Sequence, residues 1–213
     1  MKYSHIIWDW NGTIINDACI CVEIVNELLE EFKLRPVTIE DYFNNFSFPV
    51  KSYYSRLGLP IDSISYKSLS EKFIVNYRKK FPTCKLQKGV RNCFHYFKKN
   101  SIKQSVLSAG NQIDLNDFIS FHLLTPFFDF ASGVDDVFAH GKKELAKHHF
   151  DKIGLPTSEV LLIGDTLHDA EVAAELGLNC ILFSGGHNSK ELLLKSSFPV
   201  IESFAEVSSW VQD

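Results

Sequence analysis

Ser4-His5-Ile6-Ile7-Trp8-Asp9-Trp10-Asn11-Gly12-Thr13 decides how the rest of the chain is read. A short run of β-favouring apolar residues breaks abruptly onto a carboxylate, then an amide, a glycine and a threonine. Such a run predicts a buried strand with the polar cluster at its C-terminal end. In open parallel α/β sheets ligands bind outside that end of the strands. Asp9 is therefore a candidate nucleophile, and the later segments are expected to assemble around it.

Beyond Thr13 the pattern turns helical. Asn16 or Asp17 can cap a helix whose apolar positions Ile20, Ile24, Leu28 and Phe32, flanked by Val25 and Leu29, repeat at helical spacing. Pro36 ends it, and Thr38 with Glu40 and Asp41 opens the next. Residues 38–46 and 66–81 read as further helices, divided by Gly58-Leu59-Pro60. No strand is expected from Asn16 to Thr83, which makes an aromatic-rich, all-helical insert. From Lys85 onward strands and helices alternate. Gly89–Lys99 is an amphipathic helix, and Lys103–Leu107 a strand ending on Ser108-Ala109-Gly110-Asn111. A helix over Gln112–His122 and a short strand near Phe128–Ser132 follow. The helix Lys143–Ile153 is closed by Gly154 and Pro156. Val160–Ile163 is a strand ending on Gly164-Asp165-Thr166, His168–Leu176 a helix, and Asn179–Phe183 another strand. A last helix–strand–helix runs from Asn188. This alternation predicts an α/β fold with a mostly parallel sheet covered on both faces.

The bulk numbers set bounds. The chain's 213 residues suffice for one domain with a smaller insert. A net charge of −4 and the lack of a basic block argue against a nucleic-acid or anionic-membrane surface. Arg78-Lys79-Lys80 and Lys98-Lys99 read as solvated helix ends. The five scattered cysteines suit a reducing compartment better than a disulfide framework, and Cys19-x-Cys21 lacks the second pair a metal site needs. No run is long enough to span a membrane, and the start lacks a signal-peptide h-region, so a cytoplasmic protein is expected.

Three strand ends then carry polar residues: Asp9 with Asn11 and Thr13, Ser108, and Asp165 with Asp169. Lys142 precedes the helix leading to the third. Carboxylates converging from two strands repel unless a cation lies between them, and oxygen ligands with room for phosphate and water are what Mg²⁺ takes. A carboxylate nucleophile, Mg²⁺, a hydroxyl and a lysine together suit phosphoryl chemistry.

Over essentially its whole length the chain resembles the haloacid dehalogenase superfamily, in its phosphatase branch with a helical (C1-type) cap, similar to phosphoglycolate phosphatase-like hydrolases. Asp9-Trp10-Asn11-Gly12-Thr13 matches the first motif, Ser108 the second, Lys142 the third and Gly164-Asp165-Thr166-Leu167-His168-Asp169 the fourth. The resemblance implies a Rossmann-like core of residues 1–15 and 84–213, with a cap of residues 16–83. It implies an Mg²⁺-dependent hydrolase that takes phosphate from a small phosphorylated metabolite through an aspartyl-phosphate on Asp9. By resemblance, Asp9, Asp165, Asp169 and the main-chain carbonyl of Asn11 hold the metal. Asp9, Asn11, Ser108 and Lys142 carry the chemistry, and Thr13, Ser108, Ala109, Gly110 and Lys142 bind the phosphoryl group. Lys143 competes for the role of Lys142. His168, inside the fourth motif, and His187, after a predicted strand, are further candidates, and Lys51, Tyr53, Tyr54 and Arg56 are candidate cap contacts weighed against ordinary packing. A monomer or homodimer is expected.

Asn11 departs from the pattern. Phosphatases of this kind usually carry a second aspartate there, which protonates the leaving oxygen and then deprotonates water. An asparagine donates a hydrogen bond but carries no such proton, and general acid–base help is worth about 10²–10⁴-fold. The sequence thus leaves open a slow enzyme, one using substrates with good leaving groups, one that recruits another acid such as His187 or a cap residue, and a non-catalytic binder of phosphometabolites. A phosphonate-cleaving relative would need a lysine early in the cap, and Ile14–Phe32 has none. A true dehalogenase would not need Asp165 and Asp169, and a phosphomutase would need the second aspartate.

Overall fold

The computed structural model describes residues 2–134 and 142–212, with the side chains of Lys142 and Lys143 outside the description. The opening run forms β1 (His5–Trp8), wholly buried, as expected for a strand covered on both faces. After a two-residue strand β2 (Ile15–Asn16) come four helices: α1 (Ala18–Glu31), α2 (Ile39–Asn45), α3 (Val50–Arg56) and α4 (Ser63–Lys80). Then β3 (Lys85–Leu86) pairs antiparallel with β2, so the insert leaves and returns through one short ribbon. The remaining chain alternates: α5 (Val90–Lys99), β4 (Lys103–Asn111), α6 (Gln112–Phe121), β5 (Phe130–Val134), α7 (Lys142–Ile153), β6 (Val160–Gly164) and α8 (Leu167–Leu176). It closes with β7 (Asn179–Phe183), α9 (Lys190–Leu193), β8 (Val200–Ile201) and α10 (Val207–Trp210).

The main sheet runs β5-β4-β1-β6-β7-β8, and all its pairings are parallel. From β1 the chain moves outward to β4 and β5, then crosses to β6 and continues the other way. The order therefore reverses beside β1, at the crevice where such sheets bind ligands. Residue-by-residue register carries the ends together: Trp8 pairs with Val106 of β4 and Ile163 of β6. Asp9 follows directly, its N–H bonded to the Ile163 carbonyl at 2.9 Å.

One apolar layer holds Trp8, Phe94, Phe97 and Phe204, joined to the buried faces of α1 and α5; the other packs Ile7, Leu107, Leu162 and Leu182 under Ala146, Val172 and Ala173. Trp8 meets Phe94 edge-on at 5.1 Å, and its indole N–H donates to the Gln104 side chain at 3.1 Å. Buried aromatics of this kind supply large apolar area with their polar atom satisfied. Beneath the other layer a polar chain runs from Ser132 through His149 and Ser105 to His5, with successive separations of 2.8, 2.7 and 2.7 Å. It ties α7 to three strands.

Most expected elements are present within a residue or two. The exceptions have local causes. Val50–Arg56 forms a helix that the sequence reading passed over, because it is only two turns long and starts directly after Pro49. Strand β4 runs on to Asn111, past the expected end at Leu107, and its pairing with β5 is interrupted between Leu107 and Asn111. Ile20 is partly buried and packs against the core as expected, whereas Phe32 falls just past the end of α1 as its C-cap and is exposed.

Candidate active site

Gly12 and Gly186 let backbone approach the carboxylate at the end of β6. A Cβ on either would lie 2.1 Å from Asp165 Oδ2, and Gly12 also has φ +77°. Asp165 is fully buried; its Oδ1 accepts from the Thr13 hydroxyl at 2.8 Å and its Oδ2 from the His187 N–H at 2.6 Å. Asp169 sits in the first turn of α8, where a capping box formed with Thr166 fixes it. Its Oδ2 accepts from the Thr166 N–H and hydroxyl at 3.0 and 2.7 Å.

Asp9, Asp165 and Asp169 are all buried, and one oxygen from each lies within 4.8 Å of the others. Like charges this close and this dry are costly. Burial, with Asp169 adding to it, pushes the Asp165 carboxyl up to about 6, against the pull of His187 and Thr13. A divalent cation removes that conflict, and a hard, all-oxygen donor set in a tight space fits Mg²⁺. The residues present therefore suit the metal expected from the sequence.

Ser108 reaches the same edge from β4. Its oxygen accepts the Gly110 N–H at 3.0 Å, which leaves the hydroxyl proton to donate outward. A Cβ on Gly110 would lie 3.2 Å from that oxygen and 4.0 Å from Asn11 Oδ1, so the first and second strand ends meet here.

A second buried group lies behind the first. Asp17, at the start of α1, does not cap its own helix. Its carboxylate turns back instead: Oδ1 takes the Gly12 N–H at 2.9 Å and lies 3.2 Å from His187 Nε2, while Oδ2 takes Asn11 Nδ2 and the Tyr77 hydroxyl, both at 2.7 Å. Burial raises a carboxylate, but the His187 charge and these hydrogen bonds outweigh it and hold Asp17 below its usual range. Burial likewise works against the His187 imidazolium, yet Asp17, Asp165 and Asp9 carry it up to about 9. The three carboxylates around it thus favour the protonated imidazole. Its Nδ1 lies 3.0 Å from the Tyr42 hydroxyl of α2. Cys21, Asp17 and His187 also stand at metal-ligand distances from one another. Burial and Asp17 push the Cys21 thiol well up, however, so it stays protonated and is a poor metal ligand. These four donors around Asp17 account for this group as a hydrogen-bonded network.

Asp9, Asn11, Thr13, Ser108, Asp165 and Asp169 thus come together at one sheet edge, with Ala109 and Gly110 in the strand beside them. Thr13 donates its hydroxyl to Asp165. Lys142 begins α7, but its side chain and that of Lys143 lie outside the described residues, as do residues 135–141. His187 is at the site; His168 stacks on Phe48 at 4.9 Å. Tyr53 and Tyr54 are buried, Arg56 donates to the Asn45 carbonyl and the Ser47 hydroxyl, and Lys51 lies over the Tyr66 ring, so these four take part in packing within the insert. Sequence reasoning missed Asp17 as a site residue, Tyr42, Tyr77 and Gln87. The Gln87 amide bridges the Gly12 and Gly185 carbonyls at 2.8 and 2.9 Å and so clamps two of the loops around Asp165. Only Asp17 lay close enough to the first motif to be suspected.

Comparison with known proteins bears on this arrangement. A family model described as haloacid dehalogenase-like hydrolase matches residues 6–183. The phosphoglycolate phosphatase of Synechococcus elongatus is 21% identical over 189 residues, 89% of this chain and 87% of that protein. That of Caulobacter vibrioides is 24% identical, covering 96% of this chain and 89% of its own length. Among solved structures, a haloacid dehalogenase-like hydrolase of Bacteroides fragilis superposes with a TM-score of 0.86 at 19% identity, covering 97% of this chain and all of that one. A haloacid dehalogenase-like family protein of Streptococcus pneumoniae gives 0.82 at 16% identity, with 98% of each chain covered. At these identities the structural likeness speaks for the fold.

Proposed function

The chain belongs to the haloacid dehalogenase-like hydrolases, and from that premise we propose that it is an Mg²⁺-dependent phosphatase acting on a small phosphorylated metabolite. The observation that carries the reading is the trio Asp9, Asp165 and Asp169, buried carboxylates from two adjacent strand ends and the following helix, with oxygens within 4.8 Å. Asp9 attacks phosphorus and forms an aspartyl-phosphate as the bond to the leaving oxygen breaks and the substrate's alcohol departs, taking its proton from solvent. Water then attacks that phosphorus, releases inorganic phosphate and returns the Asp9 carboxylate. Asp9, Asp165, Asp169 and the Asn11 main-chain carbonyl would hold Mg²⁺, which when bound neutralises charge on the phosphoryl oxygens. Ser108 donates its hydroxyl proton to the phosphoryl group, and Lys142 balances its charge. Helices α1 to α4, residues 16–83, form the cap that selects substrate over a core of residues 1–15 and 84–213. The names of the sequence relatives make phosphoglycolate the first substrate to try.

Asn11 bears on rate. It has no acidic proton to transfer, so an alkyl leaving group, which needs one, suffers more here than an acyl or aryl one. The test is phosphate release from p-nitrophenyl phosphate and from a panel of phosphometabolites, with Mg²⁺ and with a chelator. Release should require Mg²⁺ and fall at least about 10³-fold in Asp9→Asn, the loss expected when a covalent nucleophile is removed. A protein that binds phosphorylated compounds yet turns over none of the panel would instead be a phosphometabolite sensor.

A further inference from the structure

We infer that Asp17 and Tyr77 are positioning residues that require an amide at position 11, so that an aspartate placed there impairs the site unless Asp17 is changed with it. The catalytic arm of this inference rests on the reading of Asp9 as nucleophile; its structural arm does not. Asn11 Nδ2, Asp17 Oδ2 and the Tyr77 hydroxyl form a closed triangle with sides of 2.7, 2.8 and 2.7 Å. The hydrogens decide which residue fits at each corner. Ionised Asp17 only accepts, and the one hydroxyl hydrogen of Tyr77 points to it. The third corner must therefore supply a donor to both, and the Asn11 amide does. A carboxylate at position 11 has none to give, and it would set a second negative charge about 2.7 Å from the fully buried Asp17.

What Asn11 keeps toward the phosphoryl side is its amide oxygen, on the side of Ser108 and Gly110. That oxygen accepts a hydrogen bond, so it orients a water or hydroxyl without removing its proton. Tyr77 belongs to α4 of the insert, and its hydroxyl therefore makes the orientation of Asn11 depend on how the insert is seated. Asp17 is held in turn by the Gly12 N–H and by His187, so the triangle is braced from the backbone of the first motif as well.

A reciprocal exchange tests this. The full chain is prepared as Asn11→Asp, Asp17→Asn, the double variant and Tyr77→Phe, and each is examined by thermal unfolding and by Mg²⁺-dependent hydrolysis of p-nitrophenyl phosphate and glycerol 1-phosphate. Asn11→Asp alone should melt about 5 °C lower, as burying a second charge implies. It should lose at least about 10-fold in kcat with both phosphates, since the acid it adds cannot sit correctly. The double variant should recover most of both losses, because the amide and the acid have merely changed places. Tyr77→Phe should lower kcat more than it raises KM, whereas simple loosening of the fold would not split them. An Asn11→Asp variant that melts with the parent, or that hydrolyses glycerol 1-phosphate faster, overturns the inference. So does a double variant no better than the single one. If the parent proves inactive, the proposed phosphatase function fails, while the melting temperatures still decide whether the exchange is real.

Discussion

Thr13→Val is the most direct probe of the metal-side carboxylate, because valine keeps the shape and removes only the hydroxyl. Both Thr13 and Asp165 are fully buried, and their hydrogen bond is 2.8 Å long. A hydrogen bond to a charged group is worth about 1.5–3 kcal/mol when its partner is left wanting. At about 2–4 °C per kcal/mol for a chain of this size, the melting point should fall by about 3–12 °C. The pH dependence has a definite sign. The Asp165 carboxyl is already raised to about 6 by burial, so ionising it costs the folded state stability as pH climbs from the ordinary carboxylate range through that value. Removing the Thr13 hydrogen bond raises it further, and the deficit should be larger at about pH 8 than at about pH 5.5. Saturating Mg²⁺ should narrow it, and half-saturation should move up by about 10-fold or more, the usual penalty for losing a group that orients a metal ligand. Unfolding followed at both pH values across an Mg²⁺ titration reads all three effects. A variant that melts within 1 °C of the parent at the higher pH, with an unshifted Mg²⁺ titration, would refute the assignment of Thr13 to Asp165.

Gly186→Ala should abolish Mg²⁺-dependent hydrolysis and lower the melting point, because its new methyl would sit 2.1 Å from Asp165 Oδ2; a control Gly154→Ala, where nothing lies within 4 Å of the added carbon, should keep activity despite its φ of +68°. His5 and His149 should make the fold acid-sensitive. Burial lowers them from 6.5 to about 4 and about 3, so the unfolded chain takes up their protons first. Their stabilising contribution is complete above about pH 6.5 and drains away as the pH falls toward 4, by roughly 3 kcal/mol for each histidine at most. Urea midpoints measured from pH 7 to 4 in the parent and in His149→Gln should show a shallower acid slope in the variant, and parallel slopes would contradict the assignment.

How much of this the sequence could disclose depends on the distance over which each signal acts. Strand β7 is found where the alternation placed it, and the ends of β1 and β6 are legible because an apolar run stops on a carboxylate within one or two residues. Thr13 was assigned to substrate because a hydroxyl beside a phosphate site is ordinarily a phosphate ligand; only the parallel register, which sets β6 beside β1, shows it facing Asp165. Asp17 looked like a helix cap because acids at helix starts usually are, and nothing local says that this one turns away. Tyr77 and Tyr42 are out of reach of any local pattern, since they are 60 and 145 residues from the partners they bind. The insert was legible as helical, but its internal aromatic packing hides which tyrosines face inward to the core.

His187 explains why the insert and the strand-end carboxylates behave as one unit. Its backbone N–H holds Asp165, its Nε2 faces Asp17, and its Nδ1 meets Tyr42 of α2. The neighbouring Asn188 and Ser189 donate to the carbonyls of Phe46 and Phe43, each at 3.0 Å, so the loop after β7 grips α2 at three points. Asp9, Asp17 and Asp165, each fixed by a different segment, all favour the protonated form of His187. Hydrogen bonds thus link the insert to the first motif twice, through Tyr42 and His187 on one side and through Tyr77 on the other. Asn11 stands where the two routes meet, and an amide there serves the network that a second carboxylate would break.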